Sequence, residues 1–185
     1  MISRDLVERQ QKDHTLWRLV NQPICPQMID YVSKVASETI WCNPNLDNAN
    51  AFSGDIPTLY VFIAQLARVA RVPTLTFLST VVYLTRLKAR LSALEFYGSR
   101  CTGHRLFLSA LILASKYIDD VGPQNGVWKR YCNMTDTGYS FYLSSAEITL
   151  MELQTLDLLE WNLSISAEDL NLVLAFRRSV PPDVL

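Results

Sequence analysis

The sequence predicts an all-α fold in which several helices pack around one central, buried helix. Three observations support this prediction: long runs of apolar residues at helical spacing, only 6 Gly and 8 Pro in 185 residues, and a hydrophobic content of 49%. So few glycines and prolines argue against an all-β or a disordered chain. A chain of this length and apolar content can form one domain with a substantial core and a short extension.

The central helix is predicted over residues 102–120, TGHRLFLSALILASKYIDD. Its apolar residues point in almost every direction around the axis, and such a helix must be surrounded by other helices. At about 1.5 Å per residue it would be about 28 Å long, the diameter of a small domain. It is too polar at both ends to span a membrane. One narrow polar stripe remains on it, formed by Arg105, Ser109, Lys116 and Asp120.

The elements before the central helix follow from apolar spacing and from the positions of proline and asparagine. Pro57 suits the first turn of one helix, and Pro73 separates that helix from the next. In chain order the predictions are a short helix or arm in residues 1–22, a helix near 26–42, a loop over 42–55, a helix over Ile56–Arg71, and a helix over about 74–91. Residues 1–50 are therefore interpreted as an N-terminal extension.

The best-marked helix start lies at Ser144 in the second half of the chain. Ser144 and Glu147 form a capping box, and Leu143 and Ile148 occupy the positions of a hydrophobic staple. This helix is predicted to end near Trp161. The other predictions are a short helix over Val127–Cys132, a loop over 133–142, and a short C-terminal helix with a frayed tail within residues 166–185.

Composition and motifs exclude several functional classes. A net charge of −1 gives no electrostatic footprint for nucleic acid. The four cysteines lack metal-site spacing and Met1 precedes a polar run, so we expect reduced thiols and a protein of the nucleus and cytoplasm. His14 and His104 are the only histidines, and no P-loop, GxGxxG or HExxH motif is present. We therefore expect no enzymatic activity, no cofactor and no metal.

Two segments together resemble a known family. HRLFLSALILASKYIDD, followed later by EITLMELQTLDLLEWNL, is similar to the third and fifth helices of a cyclin box, and VVYLTRLKARL resembles the second helix. The form GHRLFLSALILASKY is similar to the fungal Pcl-type cyclins, which include the phosphate-signalling cyclin. The resemblance covers about residues 53–165. It implies a cyclin-like bundle of five helices with an N-terminal helical extension.

The resemblance also implies a binding site and a partner. In cyclins, the lysine of the third helix and the glutamate of the fifth bind the kinase at its regulatory αC helix. Carried over to matching positions, the kinase-binding residues are Lys116, Tyr117, Asp119, Asp120, Glu152, Leu156, Trp161 and Leu163. The implied assembly is a heterodimer with a cyclin-dependent kinase of the fungal phosphate-signalling type, without nucleic acid or membrane.

The residues alone leave other interpretations open. Lys116 could be a solvated lysine held by Asp119 or Asp120, three and four residues later, and Glu152 could be an exposed residue at a helix edge. A helical adaptor of cyclin-like fold would bind a partner that is not a kinase. A nucleic-acid binder related to transcription factor IIB shares the fold, but the chain shows no basic stripe.

Two departures from the mitotic cyclins distinguish this sequence from that subfamily and agree with the resemblance to Pcl-type cyclins, which also diverge in this region. The first helix reads TLYVFIAQLARV where mitotic cyclins carry an MRAIL-type docking sequence, so substrate docking is not carried over. Thr85 stands where they have an aspartate that pairs with an arginine of the first helix. A second cyclin box would need about a hundred further residues, the typical size of such a domain, so we expect a single cyclin box.

Overall fold

The structure, a computed structural model, describes residues 14–42 and 55–179. The elements of regular structure in these ranges are α-helices and one 3-10 turn. They are α1 (14–20), α2 (Pro26–Ser37), α3 (Leu59–Ala70), α4 (Thr74–Ala93), α5 (Thr102–Ile118), α6 (Asn125–Tyr131), a 3-10 turn (Thr135–Thr137), α7 (Ser145–Leu158) and α8 (Leu170–Ser179). This confirms the all-α prediction. The predictions for residues 1–13, most of the 42–55 loop and the tail after 179 lie outside the described residues. None of the described helices has the length and apolar character needed to cross a membrane.

Helix α5 lies at the centre of the fold, as the sequence predicts. It packs against α2, α3, α4 and α7, and its residues from Gly103 to Ser115 are buried except for the partly exposed Arg105. The predicted polar stripe is therefore interrupted, because Ser109 is buried and its hydroxyl donates to the carbonyl oxygen of Arg105 at 2.9 Å. The helix ends at Ile118, because the backbone becomes extended at Asp119.

Two predicted helices end earlier in the structure than the sequence predicts, α2 because of a contact with a distant residue and α7 because of its local backbone conformation. Helix α2 ends at Ser37, well before residue 42, since Trp41 and Cys42 instead pair with Gly98, whose backbone N–H donates to the carbonyl of Trp41 at 3.0 Å. A Cβ on Gly98 would lie only 2.8 Å from the Cβ of Thr102, so this close approach needs glycine. Helix α7 ends at Leu158, before Trp161, because left-handed residues follow it.

The start of α3 also corrects a prediction. Pro57 precedes the helix instead of occupying its first turn, and the side chain of Thr58 caps the helix by accepting from the N–H of Val61 at 3.3 Å. The carbonyl oxygen of Pro57 instead accepts a hydrogen bond from Nε2 of His104, at 2.8 Å. Burial lowers the pKa of His104. This histidine is thus a buried packing residue at the start of α5.

The capping box at the start of α7 is present as predicted. The N–H of Glu147 donates to Oγ of Ser144 at 3.2 Å, and the N–H of Ser144 donates to the Glu147 carboxylate at 2.9 Å. Burial disfavours the charged Glu147, but the hydrogen bonds from Ser144 and the charge of Arg105 outweigh it and lower its pKa. Leu143 and Ile148, the predicted staple residues, are both buried.

We expect Ser144→Ala to lower the free energy of unfolding by about 1 kcal/mol, because it removes the acceptor for one helix N–H and a donor to Glu147. Urea denaturation followed by circular dichroism measures the change. Ser145→Ala removes a hydroxyl one residue later and should change the stability by less than about 0.5 kcal/mol. Equal losses in the two variants would contradict a specific role for the cap.

Arg86 makes several of the contacts that fasten the segment after α7 to α4. The guanidinium of Arg86 donates to the carbonyl oxygens of Asn162 and Ser164 at 3.0 and 2.9 Å and forms an ion pair with Asp169 at 2.9 Å. These contacts of Arg86 fix the segment that connects α7 with α8.

Thr85, which stands at the aspartate position of mitotic cyclins, donates to the carbonyl of Val81 at 2.8 Å.

Candidate functional site

The lysine and the glutamate predicted to bind a kinase lie in direct contact. Nζ of Lys116, in the last turn of α5, is 2.5 Å from Oε1 of Glu152 on α7. The two side chains differ in exposure, 39% for Lys116 and 12% for Glu152. The partner of Lys116 is thus Glu152, and not the nearby Asp119 or Asp120 that a solvated lysine would use.

A third residue, which the sequence does not single out, completes this cluster. Asn125, the first residue of α6, accepts a hydrogen bond from Lys116 Nζ at 3.1 Å and donates one to Glu152 Oε2 at 2.8 Å. In the sequence it belongs to the turn-like segment VGPQNG, whose composition predicts a turn and hides a contact with two distant helices. We call Lys116, Asn125 and Glu152 the charged triad.

The two aspartates that follow Lys116 differ in their surroundings: Asp119 is hydrogen-bonded within the fold, and Asp120 is exposed. Oδ1 of Asp119 accepts from the hydroxyl of Thr76 at 2.9 Å, and Oδ2 accepts from that of Ser115 at 3.1 Å. Asp119 therefore fastens the end of α5 to the start of α4, whereas Asp120 is exposed. A kinase contact by either residue stays a prediction.

The apolar residues of the predicted site also fall into two groups. Tyr117 and Trp161 are 51% and 64% exposed. Leu156 is buried, and the half-buried Leu163 packs against the core, so both are less exposed than Tyr117 and Trp161. Tyr83 joins the two groups: its hydroxyl donates to the carbonyl of Leu163 at 2.8 Å. Its pKa is raised by burial first and then by the nearby Tyr117.

Trp161 is held in place although it is exposed. Its backbone has a φ of 59°, and that of Glu160 is 52°, so two consecutive residues are left-handed. Left-handed residues often end helices, as Arg71 and Glu95 do after α3 and α4. The N–H of Trp161 donates to the carbonyl of Leu156 at 2.9 Å, which fixes the backbone here. The indole N–H of Trp161 donates to Oδ1 of Asp157 at 3.1 Å. The sequence predicts the residue but not this conformation.

Two further exposed apolar residues belong to the same segments. Val121 follows α5 and Leu153 is next to Glu152 on α7, and both side chains are exposed. We call Tyr117, Val121, Leu153 and Trp161 the apolar rim. The charged triad and the apolar rim are therefore supplied by the end of α5 and the turn after it, the start of α6, and α7 with the turn that follows it.

Comparison with known protein families decides the assignment. Residues 51–164 match the cyclin N-terminal domain. The chain belongs to the cyclin family. Helices α3 to α7 of this cyclin lie within the matched residues, as do all the residues of the charged triad and the apolar rim.

The most informative relatives of this cyclin are fungal. It is 40% identical to PHO85 cyclin-1 over 115 residues, 31% identical to PHO85 cyclin-9 over 150 residues, and 36% identical to PHO85 cyclin-2 over 114 residues, all from Saccharomyces cerevisiae. These matches cover 62, 80 and 62% of this chain, and 38, 46 and 34% of the relatives. The chain thus spans less than half the length of each relative. The resemblance to fungal Pcl-type cyclins is confirmed. No solved structure gives a significant match.

Proposed function

We propose that this cyclin is a regulatory subunit that binds and activates a cyclin-dependent kinase of the Pho85 type. The names of the three relatives support the choice of kinase. Two observations carry the proposal: the Lys116–Glu152 ion pair, and the exposed, backbone-constrained Trp161 just after the helix that carries Glu152. Large aromatic side chains dominate the binding energy of protein interfaces, and charged pairs fix their register.

The proposed mechanism is conformational selection of the active kinase. An active kinase needs its αC helix turned inward, so that the αC glutamate pairs with the lysine that holds ATP. A partner that binds this conformation more tightly than the inactive one shifts the population towards it. A shift from about 1% to about 99% active needs roughly 5.5 kcal/mol of differential binding. An interface of about 1,600 Å² in total is of the usual size for a specific complex.

Within this proposal, the roles of the predicted residues differ. Tyr117 and Trp161 contact the kinase directly, since their side chains are exposed. Leu156 and Leu163 support these contacts from below, since they pack in the core or against it. Lys116 and Glu152 form charge-assisted hydrogen bonds with the kinase, using the donors and acceptors that their mutual contact leaves available.

We expect Trp161→Ala to weaken binding of the purified kinase by about 30-fold or more, the effect of an aromatic hot spot. Trp41→Ala is a matched control, because Trp41 is also exposed, at 63%, and packs edge-on against Tyr97. The carbonyl of Trp41 accepts from the N–H of Gly98, just before the start of α5, whereas Lys116 lies in the last turn of that helix. The start of α5 and Lys116 are about 20 Å apart along the helix axis. Calorimetric titration measures both variants, and equal losses of affinity would contradict the proposed surface.

A further inference from the structure

Asn125 makes contacts that a residue in a simple turn would not need. Its Oδ1 accepts from Lys116 Nζ at 3.1 Å, while its Nδ2 donates to Glu152 Oε2 at 2.8 Å and to Thr149 Oγ1 at 3.1 Å. We propose that Asn125 is a positioning residue that orients the Lys116–Glu152 pair for the kinase. This inference rests on the proposed function.

The chemistry of the triad favours a primary amide at this position. The group between an ammonium and a carboxylate must accept from one and donate to the other, and an amide offers a carbonyl oxygen and an NH₂ group side by side. A carboxylate at residue 125 would have no donor for Glu152 and would repel it. The orientation of the amide follows from the network, because only an oxygen facing Lys116 and a nitrogen facing Glu152 satisfy both partners.

The segment that carries Asn125 is itself fixed to the core. Trp128 is buried and its indole N–H donates to the carbonyl oxygen of Pro123 at 3.0 Å, which ties the start of α6 to the preceding turn. At the other end of the turn, Asp119 is bonded to Ser115 and Thr76. A Cβ on Gly122 would lie 3.2 Å from the carbonyl oxygen of Ser115, so the turn passes close to α5. The amide is therefore presented from a constrained backbone.

The triad leaves specific capacity for a partner. The ammonium of Lys116 has three donors, of which Glu152 and Asn125 take two. The carboxylate of Glu152 accepts one bond on each oxygen from this triad, which leaves further lone pairs. With Asn125 in place, the remaining donor and the remaining acceptors have fixed directions. Preorganised groups bind more tightly because less ordering is required on association.

The test compares Asn125→Ala and Asn125→Asp in binding to a Pho85-type kinase. We expect each variant to weaken binding by about 10-fold, the effect of losing one charge-assisted hydrogen bond. Asn125→Asp separates positioning from helix stability, since an aspartate in the first turn favours a helix. If Asn125 served only to start α6, this variant would bind like the unsubstituted chain. That result would overturn the proposal.

A second comparison shows whether Asn125 acts through the ion pair. In a Lys116→Met background, Asn125→Ala should weaken binding less than about 2-fold, because residues that act as a unit are non-additive. An undiminished effect in that background would overturn the positioning role. The matched control is Asn133→Ala: the Asn133 side chain is exposed, accepts two hydrogen bonds from Thr135 and is outside the triad.

A readout without the kinase separates this inference from the proposed function. The rate at which an acylating reagent labels the amine of Lys116 in the free chain should rise about 3-fold in Asn125→Ala, since one hydrogen bond to the amine is lost. An unchanged rate would overturn the role of Asn125. If the unsubstituted chain does not bind the kinase but the labelling rate rises, Asn125 orders the ion pair and the proposed function is what has failed.

Discussion

Exchanging the two charges, by Lys116→Glu together with Glu152→Lys, is expected to abolish kinase binding and to leave the fold intact. The exchanged side chains can still form an ion pair with each other, and the amide of Asn125 can rotate by half a turn to accept from the new lysine and donate to the new glutamate. The kinase, in contrast, would meet each charge at the wrong position. Placing charges opposite unsuitable partners in an interface costs several kcal/mol, which corresponds to at least about a 100-fold loss of affinity.

Two measurements on the exchanged variant are needed. Circular dichroism should show the same helical signal and an unfolding midpoint within a few degrees of that of the unsubstituted chain, because the internal pair is retained. Calorimetric titration with the kinase should show no binding at concentrations that saturate the unsubstituted chain. If binding survived, the Lys116–Glu152 pair would be an internal ion pair only, and the interface would lie elsewhere.

Phe107→Ala is expected to produce the largest loss of stability among single substitutions to alanine in α5. Phe107 is fully buried, and its ring centroid lies 6.4 Å from those of Phe62 and Phe77, so it connects α5 with both α3 and α4. Removing a buried phenylalanine side chain costs about 3–5 kcal/mol, from lost burial and from the cavity left behind. In a protein of this size the midpoint of thermal unfolding should fall by roughly 10 °C.

The matched control for this prediction is Phe96→Ala, because Phe96 is exposed in the segment between α4 and α5. Its removal should change the free energy of unfolding by less than about 0.5 kcal/mol, as at most surface positions. Urea denaturation of both variants measures the difference. A loss below about 1 kcal/mol for Phe107→Ala would mean that the core around α5 closes over the gap, and the central role of this helix would be contradicted.

Features that depend on local spacing could be predicted from the sequence. The burial of α5 follows from its all-round apolar pattern, and the start of α7 follows from the pairing of Ser144 with Glu147. The end of α2 could not be predicted, because it depends on the bond between Trp41 and Gly98, which are 57 residues apart in the sequence. Nothing in the local pattern indicates such a contact.

The charged triad shows the same limit at the candidate site. Lys116 and Glu152 could be selected because they interrupt apolar stripes and match the motifs of a family. Asn125 interrupts no stripe, and an asparagine beside Gly126 is typical of a turn. Its role depends on the packing of α6 next to α7, which places its amide between the two charges. Only the three-dimensional arrangement brings the three residues together.

The activity of a Pho85-type kinase, measured with and without this cyclin, tests the central claim most directly. A shift of the kinase from about 1% to about 99% active predicts a stimulation of about 100-fold, and the variant with exchanged charges at Lys116 and Glu152 should give none. Tight binding without stimulation would contradict activation and indicate a helical adaptor of cyclin fold. The absence of both binding and stimulation would contradict the proposed partnership with this kinase altogether.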